Sequence, residues 1–370
     1  MKLPRSRLWL ALSAFLLVAG WLAGCGASAD KTLTIATMWP ATGPDAALGQ
    51  AMQRGVDLAA QQSAALGKGW TLSVAHVDTA STDTASAISG LAAVSQVVGI
   101  VGPLDSQTAV DMLPTIAQQS LVTISPSATL PGLTRSDAAK AEGLSFADLH
   151  PEGKPIAFFR LPQADDALGK AAADLAVASA QAHGLGAKSI YLVDDGSASG
   201  KAQAAAFAQE LKARGGSVAG QHTLDLSSPV SAQQTVSAIV AAYPDAVFYA
   251  GGTAGGAALR GTLSLSGAPM MPILAAGPIA GNPGWGAAVG ETLVATHTTA
   301  LLPAGDLSAL KDAKDFVSAY QKAFPKQDLV AQSALAYDAA MDEIAAIKSL
   351  IAAGQPVTRE AVRAAVASAK

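Results

Sequence analysis

The sequence is poor in cysteine, in aromatic residues and in charge. A single cysteine, Cys25, occurs in 370 residues, so an internal disulfide is excluded. Aromatic residues make up 5% of the chain and charged residues 14%, and the formal net charge is −4. This balance gives no basic surface for nucleic acid, so no nucleic-acid partner is expected. The five histidines are scattered without metal-ligand spacing, so neither a metal nor another cofactor is expected.

The first 24 residues have the layout of a secretory signal. Three basic residues precede an apolar run from 8 to 22, which ends in Leu22-Ala23-Gly24-Cys25. The run of about 15 residues is shorter than the roughly 20 that a membrane-spanning helix needs. Leu-Ala-Gly-Cys resembles the lipobox of bacterial lipoproteins. Residues 1–24 are therefore predicted to be a signal peptide. Cys25 is predicted to be the lipidated first residue of the mature protein, and residues 25–31 are predicted to form a tether. The alternative is an ordinary signal peptide or an uncleaved anchor.

From residue 32 onward, strand-like and helix-like segments alternate. Thr32–Thr37 is rich in β-branched residues, and the next segment, Ala46–Gln62, has apolar residues at helical spacing. Such alternation predicts an α/β protein with doubly wound parallel sheets, and the length suggests two domains. Residues 131–157 are polar and rich in Gly and Pro, so they are predicted to form an extended loop or insertion. From residue 307 the chain is predicted to be mainly helical.

The turns from strand to helix are the candidate ligand-binding segments, because ligands bind at the carboxyl ends of strands in open parallel sheets. The predicted turns span residues 39–44, 102–106, 125–129, 194–199, 251–255 and 275–281.

Two of these turns have the chemistry to hold an anion. Ser106 is predicted at the start of a helix, where free backbone N–H groups suit a carboxylate. The turn Ser125–Thr129 adds hydroxyl groups and backbone amides without a full positive charge. A plain helix cap at Ser106 and a plain Pro/Ser turn are the alternatives.

An ordered set of motifs resembles the leucine/isoleucine/valine-binding protein family from about residue 32 to 360. The motifs are Pro40-Ala41-Thr42-Gly43-Pro44, Arg54-Gly55, Val101-Gly102-Pro103 with Ser106, Ser125-Pro126-Ser127-Ala128-Thr129, Phe159-Arg160 and Val193-Asp194-Asp195. The resemblance implies the type I periplasmic-binding fold. Lobe one would comprise residues 31–160 plus 298–370 and lobe two residues 161–297, with a ligand cleft between them.

The same resemblance implies a function. The chain would be an exported solute-binding lipoprotein of an ABC importer, of the branched-chain amino acid class, and not an enzyme. It would bind an amino acid or related carboxylate by cleft closure and deliver it to the permease of that importer class. Lipidated Cys25 would anchor it to the outer face of the cell membrane or in the periplasm. Ser106, Ser127, Ala128 and Thr129 match the family positions that hold the ligand carboxylate.

The second lobe departs from the family pattern. Ile279 stands where the family has the acid that pairs with the ligand ammonium, and Ser199 replaces an aromatic residue. The sequence therefore predicts a ligand without an α-ammonium group, or weak binding of amino acids, unless Asp105 or Asp194 supplies the missing charge. A ligand-sensing or scaffold lipoprotein with a degenerate pocket is the alternative function. A hydrolase using Ser106 is a third hypothesis, but no His and acid pair is placed to support it.

Overall fold

The computed structural model describes residues 31–178, 184–279, 281–289, 298–301, 307 and 313–369. Its strands are β1 Thr32–Trp39, β2 Ala65–Gly67, β3 Trp70–Asp78, β4 Val97–Val101, β5 Val122–Ser125, β6 Phe158–Arg160, β7 Ser189–Asp194, β8 Ser217–Thr223, β9 Ala246–Ala250, β10 Ile273–Ala276 and β11 Thr298–Leu301. The helices are α1 Ala46–Gln62, α2 Thr84–Ala93, α3 Ser106–Gln118, α4 Ser136–Ala141, α5 Phe146–Leu149, α6 Asp165–Val177, α7 Ala198–Ala213, α8 Ser231–Ala242, α9 Thr253–Ser264, α10 Trp285–Val289, α11 Lys314–Ala323, α12 Ala331–Ala353 and α13 Arg359–Ser368.

The first sheet has six strands in the order β2-β3-β1-β4-β5-β6. All its pairs are parallel except β2 with β3. Residues of α1 and α12 cover one face, and residues of α2 and α3 cover the other. The central strand β4 is buried along its whole length, which accounts for its unbroken apolar sequence Val-Val-Gly-Ile-Val.

The second sheet has five parallel strands in the order β11-β10-β9-β7-β8. Residues of α8 and α9 cover one face, and residues of α6 and α7 cover the other. The predicted α/β fold with two doubly wound parallel sheets is thereby confirmed. One boundary is wrong: residues 298–301 were assigned to lobe one, but as β11 they pair with β10 in the second sheet. The four residues Thr-Thr-Ala-Leu carry no pattern that belongs to one sheet rather than the other, so the sequence could not assign them.

The helix α12 returns to the first sheet and packs closely on α1. Gly55 of α1 faces the backbone of Ser333 and Tyr337, so a side chain at position 55 would collide with the Ser333 carbonyl oxygen. On the same helix, Glu343 is fully buried beside β4, and the missing side chain of Gly99 makes room for its carboxyl group. Two glycines therefore set how closely α12 approaches its neighbours.

The segment 131–157, predicted to be an extended loop, contains the short helices α4 and α5. Apolar side chains such as Leu133 and Leu149 are buried in the core of the first sheet. Polar contacts fix the turns: Gly132 N donates to Glu142 Oε2 at 2.9 Å, and His150 Nε2 lies 2.9 Å from the carbonyl oxygen of Leu133. The prediction was wrong because the scattered Gly, Pro and polar residues conceal a few spaced apolar residues that fix the structure.

Several predictions lie outside the described residues. They are the signal peptide 1–24 and the lipidated Cys25 with all of the tether except Lys31. Within the described part of the chain, none of the helices has the length and apolar character that a membrane crossing requires.

Candidate functional site

A cavity of ≈ 200 Å³ lies where the carboxyl ends of both sheets meet. Four loops line it, following β4, β5, β7 and β9. These are four of the six turns that the sequence marked as candidates. Pockets for drug-sized ligands typically measure ≈ 300–1,000 Å³, so this cavity suits one small solute.

On the first-sheet side, two backbone amides converge on the hydroxyl oxygen of Ser106. The amides of Thr129 and Leu130 each donate to Ser106 Oγ at 3.1 Å. The Ser127 hydroxyl donates to the carbonyl oxygen of Leu104 at 2.7 Å. Arg160 stands behind the turn and donates to the carbonyl oxygen of Thr129 at 2.8 Å. The turn therefore presents two amides to one oxygen atom, an arrangement that suits a carboxylate.

A chain of hydrogen bonds crosses from Ser106 to the second sheet. Ser106 Oγ lies 3.3 Å from Ser199 Oγ, and Ser199 donates to the carboxylate of Asp165. Gln203 Nε2 donates to the other oxygen of Asp165 at 2.7 Å. Asp165 is fully buried, and this burial raises its pKa above the usual range, although the hydrogen bonds and the nearby charge of Arg160 oppose the shift.

The charged side chains that line the cavity are both acidic. Asp105 lies on the first-sheet side, where it accepts a hydrogen bond from Thr108 N at 2.8 Å and caps α3. Asp195 lies opposite and accepts from Gly252 N at 2.9 Å. Among the described residues that line the cavity, none is Lys, Arg or His. The ionisable side chains that the structure describes on the cavity wall are therefore carboxyl groups alone.

A second set of contacts joins the two sides at a different place, and we call it the latch: Asp45, Thr253 and Asn282. Thr253 Oγ1 donates to Asp45 Oδ1 at 2.6 Å, and Asn282 Nδ2 donates to the same oxygen at 3.2 Å. Burial raises the pKa of Asp45, with the Thr253 hydrogen bond opposing the shift. None of these three side chains lines the cavity. The latch thus connects the two sides without occupying the binding space.

The structure places the predicted site residues as follows. Ser106, Ser127 and Thr129 line the cavity, whereas Ala128 is buried in the core of the first sheet and its amide donates to Ser125 Oγ at 2.8 Å. Ile279, expected at the ligand, lies in the core of the second sheet and is 3% exposed.

Of the two acids proposed to replace the acid missing at position 279, Asp105 lines the cavity. Asp194 does not: it is buried and accepts a hydrogen bond from Thr223 Oγ1 at 3.1 Å. Its neighbour Asp195, which the sequence did not single out for this role, lines the cavity instead.

Sequence reasoning also missed Asp165, Gln203 and the latch. Asp165 and Asp166 open α6, where acidic residues commonly complement the helix dipole, so the pair gave no signal of a site. Within the described residues no group of three or more His, Cys, Asp or Glu side chains is arranged to hold a metal ion.

The comparisons with known proteins agree with this architecture. A family profile described as periplasmic binding protein matches residues 32–370. No curated protein sequence matches the chain significantly.

Among solved structures, the chain is similar to the branched-chain amino acid transporter substrate-binding protein LivJ of Streptococcus pneumoniae in complex with isoleucine, with 20% identity, a TM-score of 0.72, and coverage of 92% of this chain and 89% of that chain. It is similar to the leucine-binding protein LivK of Thermotoga maritima, with 22% identity, a TM-score of 0.69, and coverage of 90% and 87%. It is also similar to an ABC transporter solute-binding protein of R. palustris in complex with benzoate, with 24% identity, a TM-score of 0.72, and coverage of 91% and 86%. At these identities the likeness shows the fold, which is the type I periplasmic-binding fold.

Proposed function

The chain belongs to the periplasmic binding protein family, and from that premise we propose that it is the extracytoplasmic solute-binding lipoprotein of an ABC importer of the branched-chain amino acid class. It binds a small carboxylate-bearing solute by cleft closure and passes it to the importer's permease, with no covalent step. The observation that carries this proposal is the cavity formed jointly by loops of both sheets. A solute that contacts both sides favours the closed state, because its contacts are complete only there.

The carboxylate of the solute binds at the turn Ser125–Thr129. The amides of Thr129 and Leu130 already converge on one oxygen atom, the Ser106 hydroxyl. A carboxylate oxygen takes the place of that hydroxyl or shares its donors, and Ser127 and Thr129 line the same wall. The solved neighbours add support, since isoleucine and benzoate, the ligands bound to two of them, both carry a carboxylate.

Replacing Ser127 by Ala together with Thr129 by Val is expected to weaken solute binding. The Ser127 hydroxyl donates here to the Leu104 carbonyl oxygen, and in the proposed complex it turns to the solute carboxylate. A hydrogen bond to a charged group contributes roughly 1.5–3 kcal/mol, which corresponds to about tenfold or more in affinity. Titration calorimetry of the variant against the wild-type protein measures the change. The control is Ser237→Ala, on the exposed side of α8, which leaves affinity unchanged.

An unchanged affinity in the double variant would place the carboxylate elsewhere. If no small carboxylate shifts the melting temperature of the wild-type protein, the ligand-sensing or scaffold function replaces the importer function. A solute at 100 times its dissociation constant stabilises the folded state by about 2.7 kcal/mol, so binding is readily detected.

Membrane anchoring through Cys25 is the part of the proposal that rests on the sequence alone. Replacing Cys25 by Ser is expected to release the protein into the soluble fraction, because buried acyl chains contribute about 0.8 kcal/mol per CH₂. Fractionation of cells producing each form, with immunoblotting, measures the distribution. A variant that stays with the membranes as fully as the wild type would show that lipidation is not the anchor.

A further inference from the structure

One peptide group of the turn that faces the cavity connects it to a half-buried cation. The amide of Leu130 donates to Ser106 Oγ at 3.1 Å, and the carbonyl group of the same peptide belongs to Thr129. That carbonyl oxygen accepts a hydrogen bond from Arg160 at 2.8 Å. The C=O and N–H bonds of a trans peptide point in opposite directions, so Arg160 and Ser106 lie on opposite sides of it. The positive end of this peptide dipole therefore points toward the position proposed for the solute carboxylate.

The charge of Arg160 is not neutralised by a direct partner. Among the described residues, no carboxylate forms an ion pair with it. Its hydrogen bonds go to the carbonyl oxygens of Thr129 and Leu130, at 2.8 and 3.0 Å, and it does not line the cavity. A guanidinium group stays protonated in proteins. Because hydrogen bonds in a chain polarise one another, this charge strengthens the donor that the Leu130 amide presents to an anion.

Glu142 lies behind the same turn and opposes this charge. Its Oε2 accepts a hydrogen bond from the amide of Gly132 at 2.9 Å, and a Cβ at position 132 would collide with that oxygen. Burial raises the pKa of Glu142 to about 7, and the charge of Asp165 adds to the shift. The Gly132 amide and the charges of Arg135 and Arg160 oppose it. Glu142 therefore gains or loses its charge near neutral pH.

Other titratable groups surround this turn, so substitution has to assign any pH effect. Arg135 pairs with Asp166 at 2.8 Å, and His150 Nε2 lies 2.9 Å from the carbonyl oxygen of Leu133. Asp165 is fully buried, which raises its pKa as well. The neighbouring helices and their caps also carry Asp105, Asp111, Asp137, Lys140, Asp148 and Lys170. Only a change at Glu142 itself can show that Glu142 is the group responsible.

We propose that Arg160 is a positioning residue for the solute carboxylate, acting through the Thr129–Leu130 peptide, and that Glu142 makes this action depend on pH. The inference rests on the proposed function and adds a regulation of its carboxylate site. Protonated Glu142 leaves the charge of Arg160 in full, whereas ionised Glu142 offsets part of it and repels the solute. A bound carboxylate in turn favours the protonated form of Glu142. Solute affinity therefore falls as the pH rises above about 7.

Calorimetric titration of the purified wild-type protein at pH 6 and pH 8 measures this dependence. The probes are L-leucine, L-isoleucine, 2-hydroxy-4-methylpentanoate and benzoate, whose carboxyl groups stay ionised over this range. A change in affinity therefore reports on the protein. We expect the probe that binds most tightly to bind about threefold or more tightly at pH 6 than at pH 8, because the second negative charge at Glu142 repels it.

Glu142→Gln assigns the pH dependence to one side chain. The glutamine carbonyl oxygen can still accept the hydrogen bond from the Gly132 amide, but the side chain carries no charge at either pH. We expect the affinity of this variant to be the same at pH 6 and pH 8, close to that of the wild-type protein at pH 6. Glu152→Gln, at an exposed position near the end of the same segment, is the matched control and keeps the wild-type dependence.

Two substitutions at Arg160 separate its charge from its shape. Arg160→Gln keeps a hydrogen-bond donor and removes the charge, and it is expected to weaken binding of the carboxylate about tenfold or more at pH 6. Arg160→Lys keeps the charge without the planar fork, and it is expected to recover most of that affinity. A purely structural role of the guanidinium group would not be rescued in this way. Melting temperatures show whether each variant is folded; if the Arg160 variants do not fold, the pH profile of Glu142→Gln decides alone.

The outcomes distinguish this inference from the proposed function. Equal affinities of the wild-type protein at the two pH values would overturn the inference, and so would a wild-type pH dependence in Glu142→Gln. Unchanged affinity in folded Arg160→Gln, or an equal loss in Arg160→Lys and Arg160→Gln, would do the same. In each of these cases carboxylate binding stands. If none of the four carboxylates binds at either pH, the carboxylate part of the proposed function falls, and the inference falls with it.

Discussion

Replacing Glu343 by Gln is expected to remove a strong pH dependence of stability. Glu343 is fully buried on α12, and its carboxyl oxygens make no hydrogen bond of good geometry. Burial raises the pKa of this carboxyl well above its ordinary value, and the neighbouring charge of Asp342 adds to the shift, which the backbone amide of Ile100 opposes only in part.

The direction of the effect follows from proton binding. Between the unfolded and folded pKa values the native state holds one more proton than the unfolded chain does. The free energy of unfolding therefore falls by about 1.4 kcal/mol for each pH unit above the unfolded pKa. Glutamine carries no titratable proton, so the variant lacks this slope. The gain of the variant over the wild type should therefore grow as the pH rises from 5 to 8.

Urea denaturation of both proteins at several pH values measures the slope. Glu360→Gln, at an exposed position in the first turn of α13, is the control, and it leaves the slope unchanged. If the difference between Glu343→Gln and the wild type is the same at pH 5 and pH 8, then Glu343 is not held protonated in the folded state.

Replacing Gly55 by Ala is expected to destabilise the protein by about 3 kcal/mol, because overpacking at a close contact typically costs that much. The new Cβ would collide with the carbonyl oxygen of Ser333 and lie 3.1 Å from the backbone nitrogen of Tyr337. Both obstacles are backbone atoms of α12, so relief requires the two helices to separate. The corresponding fall in melting temperature is roughly 6–12 °C.

The matched control is Gly261→Ala in α9, because a Cβ at that position would have no atom within 4 Å. There the substitution improves helix propensity and should stabilise the protein by about 0.5–1 kcal/mol. Thermal denaturation of the two variants gives opposite signs if the approach of α1 and α12 is as close as described. Equal stability of the two variants would contradict it.

The fold followed from the sequence because its signals are local. β-branched runs and helical spacing lie within single elements, so the cavity-lining turns and the alternation from β1 to β10 were predictable, apart from the three-residue strands β2 and β6. The polar contacts around the cavity were not predictable, because they join residues that are distant in the sequence. Asp165 and Gln203 are 38 residues apart, and Asp45 and Asn282 are 237 apart.

Ser199 and Ile279 show that the sequence alone does not determine which side chains reach the cavity. From the sequence, Ser199 was interpreted as a serine in place of the family's aromatic residue. In the structure its hydroxyl lies near Ser106 across the cavity and donates to Asp165. From the sequence, Ile279 was interpreted as an apolar residue in place of the family's ligand-pairing acid. In the structure it lies in the core of the second sheet. Alignment by motif assigns a residue to a position, whereas only the packing of the loops decides whether its side chain reaches the cavity.

The separation of the latch from the cavity has a consequence for how selectivity changes over evolutionary time. Asp45, Thr253 and Asn282 touch one another and do not line the cavity, so in the proposed closure mechanism they would add the same free energy to closure whichever solute is inside. Strengthening or weakening the latch therefore multiplies every dissociation constant by one factor and leaves their ratios unchanged. Substitutions in the cavity wall change those ratios while the latch keeps its contribution to closure. Descendants of this protein can thus exchange one solute for another without first having to rebuild the contacts that close the cleft.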